Sequence, residues 1–190
     1  MLLFIAGLVI FLGIHSVAIF APAWRDAQIT RRGDRAWKGI YSVVSIIGFG
    51  LLIYGYGLAR QSPVVLYTPP TMLRHIALAL MLPVFPLLLA AYLPGRIKTA
   101  AKHPMLLSVK IWATAHLLAN GTLVDVLLFG AFLAWAVIDR ISLKRRPQRA
   151  VPVLPASKWN DGIVVVAGLA LYFIVVNWAH LRLFGVSPLA

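Results

Sequence analysis

Hydrophobic residues are gathered into six long runs, and shorter polar segments separate these runs. A helix needs about 20 apolar residues to cross the hydrocarbon core of a bilayer. The pattern predicts membrane-spanning helices at Leu2–Ala21, Gly39–Ala59, Met72–Leu93, Met105–Asn120, Thr122–Ile138 and Gly162–His180. The fourth and fifth runs are short for a span and flank an Asn-Gly turn, which indicates a helical hairpin. We therefore expect an all-α integral membrane protein, a polytopic bundle of about six transmembrane helices.

Proline and glycine positions predict how two of these helices are shaped and packed. Pro83 and Pro86 fall in the middle of the third run, where proline removes a backbone donor and kinks a helix. Gly48 and Gly55 lie seven residues apart, on one face of the second run. Small residues on one face allow two helix backbones to approach closely in lipid. We expect a kinked third helix and a closely packed second helix.

The composition supports this class of protein and excludes several kinds of site. Hydrophobic residues make up 61% of the 190 residues and charged residues only 12%, which is more apolar than a soluble domain allows. No polar stretch is long enough for a second domain, so residues 1–190 are expected to form a single domain. Cysteine is absent, which excludes disulfides, iron–sulfur clusters and covalently attached haem.

The positive charge of the chain predicts its orientation in the membrane. A net charge of +13 would suggest nucleic acid for a soluble protein, but here most basic residues lie in alternate loops. Because basic loops stay in the cytoplasm, both termini are expected outside, with anionic lipid headgroups and no nucleic acid as partners. The first run has no Lys or Arg before Arg25, so we expect a span rather than a cleaved signal peptide. The basic residues that lie in the alternate loops are the following 14: Arg25, Arg31, Arg32, Arg35, Lys38, Arg96, Lys98, Lys102, Arg140, Lys144, Arg145, Arg146, Arg149 and Lys158.

Two histidines lie inside predicted spans, where an ionisable side chain marks a candidate functional site. His15 lies past the middle of the first run, with Phe11 and Ile19 one turn away. His116 lies on the fourth run, and Trp112, His116 and Asn120 share one helical stripe at i, i+4 and i+8. Each imidazole could hydrogen-bond a neighbouring helix or ligate a metal or haem iron.

The predicted depths of the two histidines favour haem over a bare metal ion. With the orientation above, His15 and His116 differ in depth by on the order of 10 Å. A haem near the membrane plane tolerates this offset because its axial ligands stand on opposite faces, whereas a compact zinc site does not. An alternative site lies toward the outer ends of the helices, where His75 or His180, with Asp125 and Asn177, would be near His116.

The chain also carries short motifs at His103-Pro104, Ile111-Trp112, Ala115-His116 and Asn120-Gly121, and at Gly13-Ile14-His15-Ser16. Together with the arginine-rich loop after the first span, these motifs resemble the NnrU family over nearly the whole length of the chain. Relatives of that family include the plant and cyanobacterial zeta-carotene isomerases. The thirteen-residue separation of His103 and His116 is the more specific part of the pattern.

The resemblance implies a b-type haem that is redox-switched and, in the isomerases, acts on a cis double bond of a polyene. In those isomerases the matching histidines ligate the haem, which assigns this role to His15 and His116. The resemblance makes His103 important without making it an axial ligand. A further histidine of the isomerases has no counterpart here, and Tyr54 or Tyr56 stands near its position instead. Bacterial members are associated with nitrite and nitric-oxide respiration.

The sequence thus predicts a multi-pass protein of the bacterial inner membrane that binds haem b. His15 and His116 are its expected iron ligands, and Trp112, Asn120 and His103 contribute to the cofactor site. Electron transfer, sensing in nitrite or nitric-oxide metabolism (denitrification), and isomerisation of a hydrophobic small molecule such as a polyene are the expected roles. Two alternatives are a membrane methyltransferase-like enzyme, suggested by the His-Pro pair, and a cofactor-free assembly partner of a respiratory complex.

Overall fold

A computed structural model describes residues 1–146 and 152–189, and these residues are predominantly helical. Arg149 of the predicted basic loops lies outside the described residues. In chain order the described helices are α1 (Leu2–Phe20), α2 (Pro22–Arg32), α3 (Asp34–Ala59), α4 (Thr71–Met81), α5 (Val84–Ala90), α6 (Arg96–Ala101), α7 (Pro104–Ala119), α8 (Leu123–Ser142), α9 (Asn160–Ile174), a π-helical turn (Val175–Ala179) and α10 (His180–Phe184).

Four helical stretches of the described chain are long and apolar enough to cross a membrane: Leu2–Phe20, Asp34–Ala59, Thr71–Ala90 and Asn160–Phe184. These correspond to the first, second, third and sixth predicted spans. The predicted fourth span corresponds to α7, which is apolar but only 16 residues long. The predicted fifth span corresponds to α8, which carries two aspartates and an arginine within its 20 residues. The membrane character is confirmed, while the number of six spans and the side of each terminus stay predictions.

The arginine-rich segment between the first two spans is helical rather than a loop. Pro22 stands at the first turn of α2, where its missing N–H costs nothing. Gly33 separates α2 from α3 with a φ of 82°, a conformation that favours glycine. As a result α3 begins at Asp34, five residues before the predicted start of the second span.

The chain divides into two compact units, which are described here one at a time. The first comprises Met1–Leu66 and Thr122–Ala131, and the second comprises Tyr67–Gly121 and Phe132–Ala190. The expectation of a single domain for residues 1–190 stays a prediction.

In the first unit, α1 packs along α3 with the two backbones in close approach. A Cβ atom at Gly48 would lie 2.7 Å from the backbone nitrogen of Phe11, and one at Gly55 would meet the backbone of Phe4. Gly7 on α1 would in turn meet the backbone of Leu52. The predicted glycine face of the second span is therefore confirmed as a packing surface, since no larger residue fits between these helices.

In the second unit, the predicted proline kink is confirmed as a break between α4 and α5. The interruption covers Leu82 and Pro83, and Pro86 lies within α5. A Cβ atom at Gly168 of α9 would lie 2.5 Å from the nitrogen of Pro86, so α9 packs directly against the proline-containing helix. From α7, Ser108 donates a hydrogen bond to the carbonyl oxygen of Val84 at 3.0 Å, which joins α7 to α5 inside this unit.

Candidate functional site

His15 lies on α1 among aromatic side chains of the first unit. Its Nδ1 atom lies 2.7 Å from the carbonyl oxygen of Phe11, one turn earlier. The ring centroids of His15 and Phe11 are 4.2 Å apart, and the Tyr41 ring of α3 lies 5.2 Å away. The apolar stripe predicted around this histidine is present, and Tyr41 is an added neighbour from the facing helix.

His116 lies on α7 in the second unit, in an arrangement of the same kind. Its Nδ1 atom lies 2.8 Å from the carbonyl oxygen of Trp112, and the two rings are 5.2 Å apart. Asn120 donates a side-chain hydrogen bond to the His116 carbonyl oxygen at 2.9 Å. The predicted stripe of Trp112, His116 and Asn120 is thus confirmed by direct contacts along one face of α7.

These hydrogen bonds decide where each imidazole carries its proton. A carbonyl oxygen is an acceptor only, so the Nδ1 atoms of His15 and His116 must be the donors. In a neutral imidazole the Nε2 atom then carries the lone pair. Metal-ligating histidines ordinarily have this arrangement, with one ring nitrogen donating to a carbonyl and the other directed to the metal. The Nδ1 contacts of both side chains are therefore compatible with this arrangement.

A cavity of about 240 Å³ lies beside His116 within the second unit. Helix α4, the start of α5, the end of α7, and the last helical stretch with the residues that follow it supply its walls. His116 and Asn120 both line it, whereas Trp112 packs behind His116 and against Phe132, at 5.6 Å between ring centroids. His180 also lines it, so the alternative ligand that the sequence suggested shares a cavity with His116.

The π-helical turn Val175–Ala179 forms part of the cavity wall through Val175 and Val176. Such turns occur mostly as single insertions in α-helices and are frequent at functional sites. Here the turn leads directly into His180, whose Nδ1 donates to the carbonyl oxygen of Val186 at 2.7 Å. His180 therefore has the same neutral tautomer as His15 and His116, with the proton on Nδ1 and the lone pair on Nε2.

Three other predicted residues, His75, His103 and Asn177, do not line this cavity. His75 is exposed on α4 and does not line the cavity, although its neighbour Arg74 does. His103 precedes α7 at its opposite end, roughly 20 Å from His116 along the helix. Asn177, the other polar residue of the suggested outer cluster, donates to the carbonyl oxygen of Phe173 at 2.8 Å. A cofactor role for His103 stays a prediction.

Asp125 is 6% exposed and anchors a hydrogen-bonded cluster in the first unit. Tyr56 of α3 donates to one carboxyl oxygen at 2.5 Å, and Thr122 donates to the other at 2.6 Å. Thr122 and Asp125 also form a capping pair at the start of α8, because the Asp125 N–H points to the Thr122 hydroxyl at 3.4 Å. These short O–H to oxygen distances are those of charge-assisted bonds, so the cluster joins α3 firmly to α8.

Replacing Tyr56 with phenylalanine is expected to destabilise the first unit by about 1.5–3 kcal/mol, because a buried carboxyl group loses a charge-assisted donor. Thermal unfolding of the purified protein in detergent measures this. Tyr54→Phe is the matched control, since Tyr54 is 62% exposed and only two residues away, and its effect should stay within about 0.5 kcal/mol. Equal effects of the two substitutions would contradict a stabilising role for the Tyr56–Asp125 bond.

His103 stands in a basic environment at the start of α7. Partial burial lowers its pKa, and the nearby charges of Arg140, Lys102 and Lys110 lower it further, while Asp139 acts in the opposite direction. Asp139 is itself paired with Arg146. The proximity of Lys110 agrees with a side chain that extends from α7 toward the polar end of the helix.

Acidification is therefore expected to reduce stability through His103. A histidine whose pKa is lowered by folding binds its proton more readily in the unfolded chain, so stability falls as the pH drops from about 7 through about 6.5. Thermal unfolding measured between about pH 7 and pH 5 should show a shallower decline for His103→Gln than for the wild type. His75→Gln, at an exposed position, should leave the slope unchanged. An unchanged slope in His103→Gln would remove this assignment.

Sequence reasoning missed several residues of the site. Arg74 belongs to no motif in the sequence, yet it lines the cavity. Tyr172 also lines the cavity and donates to the carbonyl oxygen of Leu78 at 3.1 Å. Tyr41 beside His15 carries no motif. The pairing of helices decides all three neighbours, and a single helix pattern holds no signal for it.

Among the described residues, no group of three or more His, Cys, Asp or Glu side chains is close enough to hold a metal ion. In comparisons with known proteins, the family model described as NnrU protein matches residues 3–188 of the chain. No curated protein and no solved structure shows a match.

Proposed function

Since the chain belongs to the NnrU family, we propose that it is an integral membrane protein that binds haem b, with His15 and His116 as the iron ligands. The observation that carries this proposal is the shared orientation of the two imidazoles. In both, Nδ1 donates to the carbonyl oxygen of the preceding turn, an arrangement that metal-ligating histidines commonly have. Two such nitrogens would suffice to hold a haem, whereas a bare metal ion would require more ligands.

The surroundings of His116 fit part of a porphyrin ring. The wall beside it is mainly apolar, with Leu78, Met81 and Phe85 among its side chains. A volume of about 240 Å³ is slightly below the roughly 300–1,000 Å³ of typical ligand sites. The cavity would therefore accommodate one part of a macrocycle. His180 lines the same cavity and is the alternative to His15 as the second ligand beside His116.

Haem b, when bound, supplies one-electron redox chemistry and an iron centre whose properties depend on its axial ligands. The chain's own groups hold the ligands in place. The Phe11 and Trp112 carbonyls retain the Nδ1 protons, and the aromatic rings of Phe11 and Trp112 restrict the imidazoles. We propose a redox-linked role in the bacterial inner membrane, in nitrite or nitric-oxide metabolism or in isomerisation of a hydrophobic polyene.

An absorption spectrum of the protein purified from haem-replete cells tests the proposal. A Soret band that shifts on reduction with dithionite, together with a pyridine haemochrome of the b type, is the expected result. A colourless protein that also takes up no haem on reconstitution would reject haem binding. Nitric oxide added to the reduced protein then separates the proposed roles, because a further spectral shift requires that one axial ligand can be displaced.

A further inference from the structure

Helix α2 joins α1 and α3, which are each long and apolar enough to cross a membrane. These two helices run antiparallel, because a Cβ atom at Gly55 would meet the backbone of Phe4, and one at Gly48 would meet the backbone of Phe11. The end of α1 and the start of α3 are therefore on the same side, where the 11 residues of α2 connect them. A polar helix that connects two spans in this way lies at the membrane surface, among the lipid headgroups.

The outward face of α2 combines an aromatic side chain with a cation. Trp24 and Arg31 are seven residues apart, so they lie on one face of the helix, and both are exposed. Ala27 between them is also exposed on this face. Trp24 is 53% exposed and its ring lies edge-on to the buried Trp37 of α3, at 5.9 Å between centroids. An exposed tryptophan at a helix junction of this kind is typical of the interface between membrane and water.

This segment also carries positive charge that its acidic residues do not balance. The whole chain contains five acidic residues, and two of them lie here. Asp26 is paired with Arg25 at 3.0 Å, and Asp34 is paired with Lys38 at 2.6 Å. The other basic residues of the segment, the surface arginines, are Arg31, Arg32 and Arg35. Each of them is exposed, and within residues 1–146 and 152–189 none forms an ion pair with an aspartate.

We infer that α2 and the first turn of α3 form a binding surface for anionic phospholipid headgroups, with the surface arginines paired to lipid phosphates and Trp24 set into the headgroup layer. A guanidinium binds phosphate oxygens through two parallel hydrogen bonds. A soluble phosphate offers the same oxygens but no apolar surface for Trp24, so the exposed tryptophan favours the lipid. The inference is independent of the haem proposal, because it uses neither the proposed iron ligands nor the cavity beside His116.

The lipid preference at α2, measured on the full-length protein in phosphatidylcholine nanodiscs, tests the inference. Because the chain has no cysteine, Ala27→Cys provides a single site for a nitrobenzoxadiazole fluorophore on the outward face. Phosphatidylglycerol or phosphatidylcholine that carries a nitroxide quenches this fluorophore when it binds beside α2. The ratio of the two quenching constants gives the preference for the anionic lipid in the labelled parent protein and in its variants.

The labelled parent protein is expected to prefer phosphatidylglycerol at low salt. Arg31→Gln, Arg32→Gln and Arg35→Gln should each lower this preference by about fivefold, because each removes one cation near the anionic surface. Arg31→Lys should keep most of the preference, since it retains the charge. A preference that persists with lysine and falls with glutamine is not explained by a general loss of folding.

Two controls separate the surface arginines from other charges. Asp34→Asn combined with Lys38→Gln removes a paired cation of the same segment at constant net charge. Arg182→Gln removes an exposed arginine of α10. Both controls should leave the preference unchanged.

Three outcomes would overturn the inference. The first is equal quenching of the parent protein by the two lipids, and the second is a loss in Arg182→Gln as large as the losses in the variants of the surface arginines. The third is displacement of phosphatidylglycerol by inorganic phosphate at matched ionic strength, which would assign these arginines to a soluble anion.

Discussion

Replacing His116 with alanine is expected to abolish the low-spin haem spectrum that the proposed haem site predicts, and His15→Ala is expected to do the same. Each substitution removes a proposed Nε2 ligand. In each of these imidazoles the Nδ1 proton is bonded to a backbone carbonyl oxygen. A haem iron with two imidazoles has sharp reduced α and β bands, and the loss of one imidazole leaves an open position. Absorption and electron paramagnetic resonance spectra of oxidised and reduced variants measure the change.

The controls for this experiment come from the other histidines. His75→Ala should leave the spectrum unchanged, because His75 is exposed and does not line the cavity. His180→Ala distinguishes the two ligand assignments, since His180 shares the cavity with His116. If His116→Ala and His180→Ala abolish the spectrum while His15→Ala retains it, His180 is the second ligand and the assignment of His15 is wrong.

Replacing Gly55 with leucine is expected to destabilise the packing of α1 on α3 by about 3 kcal/mol or more. A side chain at Gly55 would meet the backbone of Phe4, which cannot move aside as a flexible side chain would. Overpacking of this kind ordinarily costs about 1–3 kcal/mol, and contact with backbone places Gly55 at or above the upper end. Thermal unfolding in detergent or nanodiscs measures the effect.

Gly57→Leu is the matched control, because nothing lies within 4 Å of a Cβ atom built there. The two glycines share one helix and receive the same side chain, so differences in helix propensity cancel. Gly48→Leu and Gly50→Leu form a second pair of the same kind, one crowded and one open. If Gly57→Leu were as damaging as Gly55→Leu, close packing of the two helices would not explain the glycines.

Much of the fold could be predicted from local patterns, and the failures have physical causes. Runs of apolar residues predicted four helices that are long enough to span a membrane, because hydrocarbon requires every backbone group to be bonded within a helix. The same rule was less informative for α8, where Asp125 and Asp139 interrupt the apolar run. The polar composition of the arginine-rich segment predicts a loop, whereas its residues form helix α2, which begins at Pro22 and ends before Gly33.

The sequence likewise predicts one part of the candidate site and not the other. The stripe of Trp112, His116 and Asn120 follows from the helical period, and their contacts confirm it. The neighbours contributed by other helices do not follow from any period. Arg74 reaches the His116 cavity from α4, and Tyr56 reaches Asp125 from α3, across sequence separations that local patterns do not cover.

The sequence by itself determined the membrane character, the family, the glycine face of α3 and the two histidines on apolar helices, because these depend on residue type and helical spacing. Tertiary structure alone decided which side chains meet them. The glycines became a contact surface when α1 packed on α3, and His116 gained a cavity with Arg74 and His180 when three helix ends came together. The physical reason is that spacing along one helix specifies a face, whereas the partner of that face depends on how the whole chain packs.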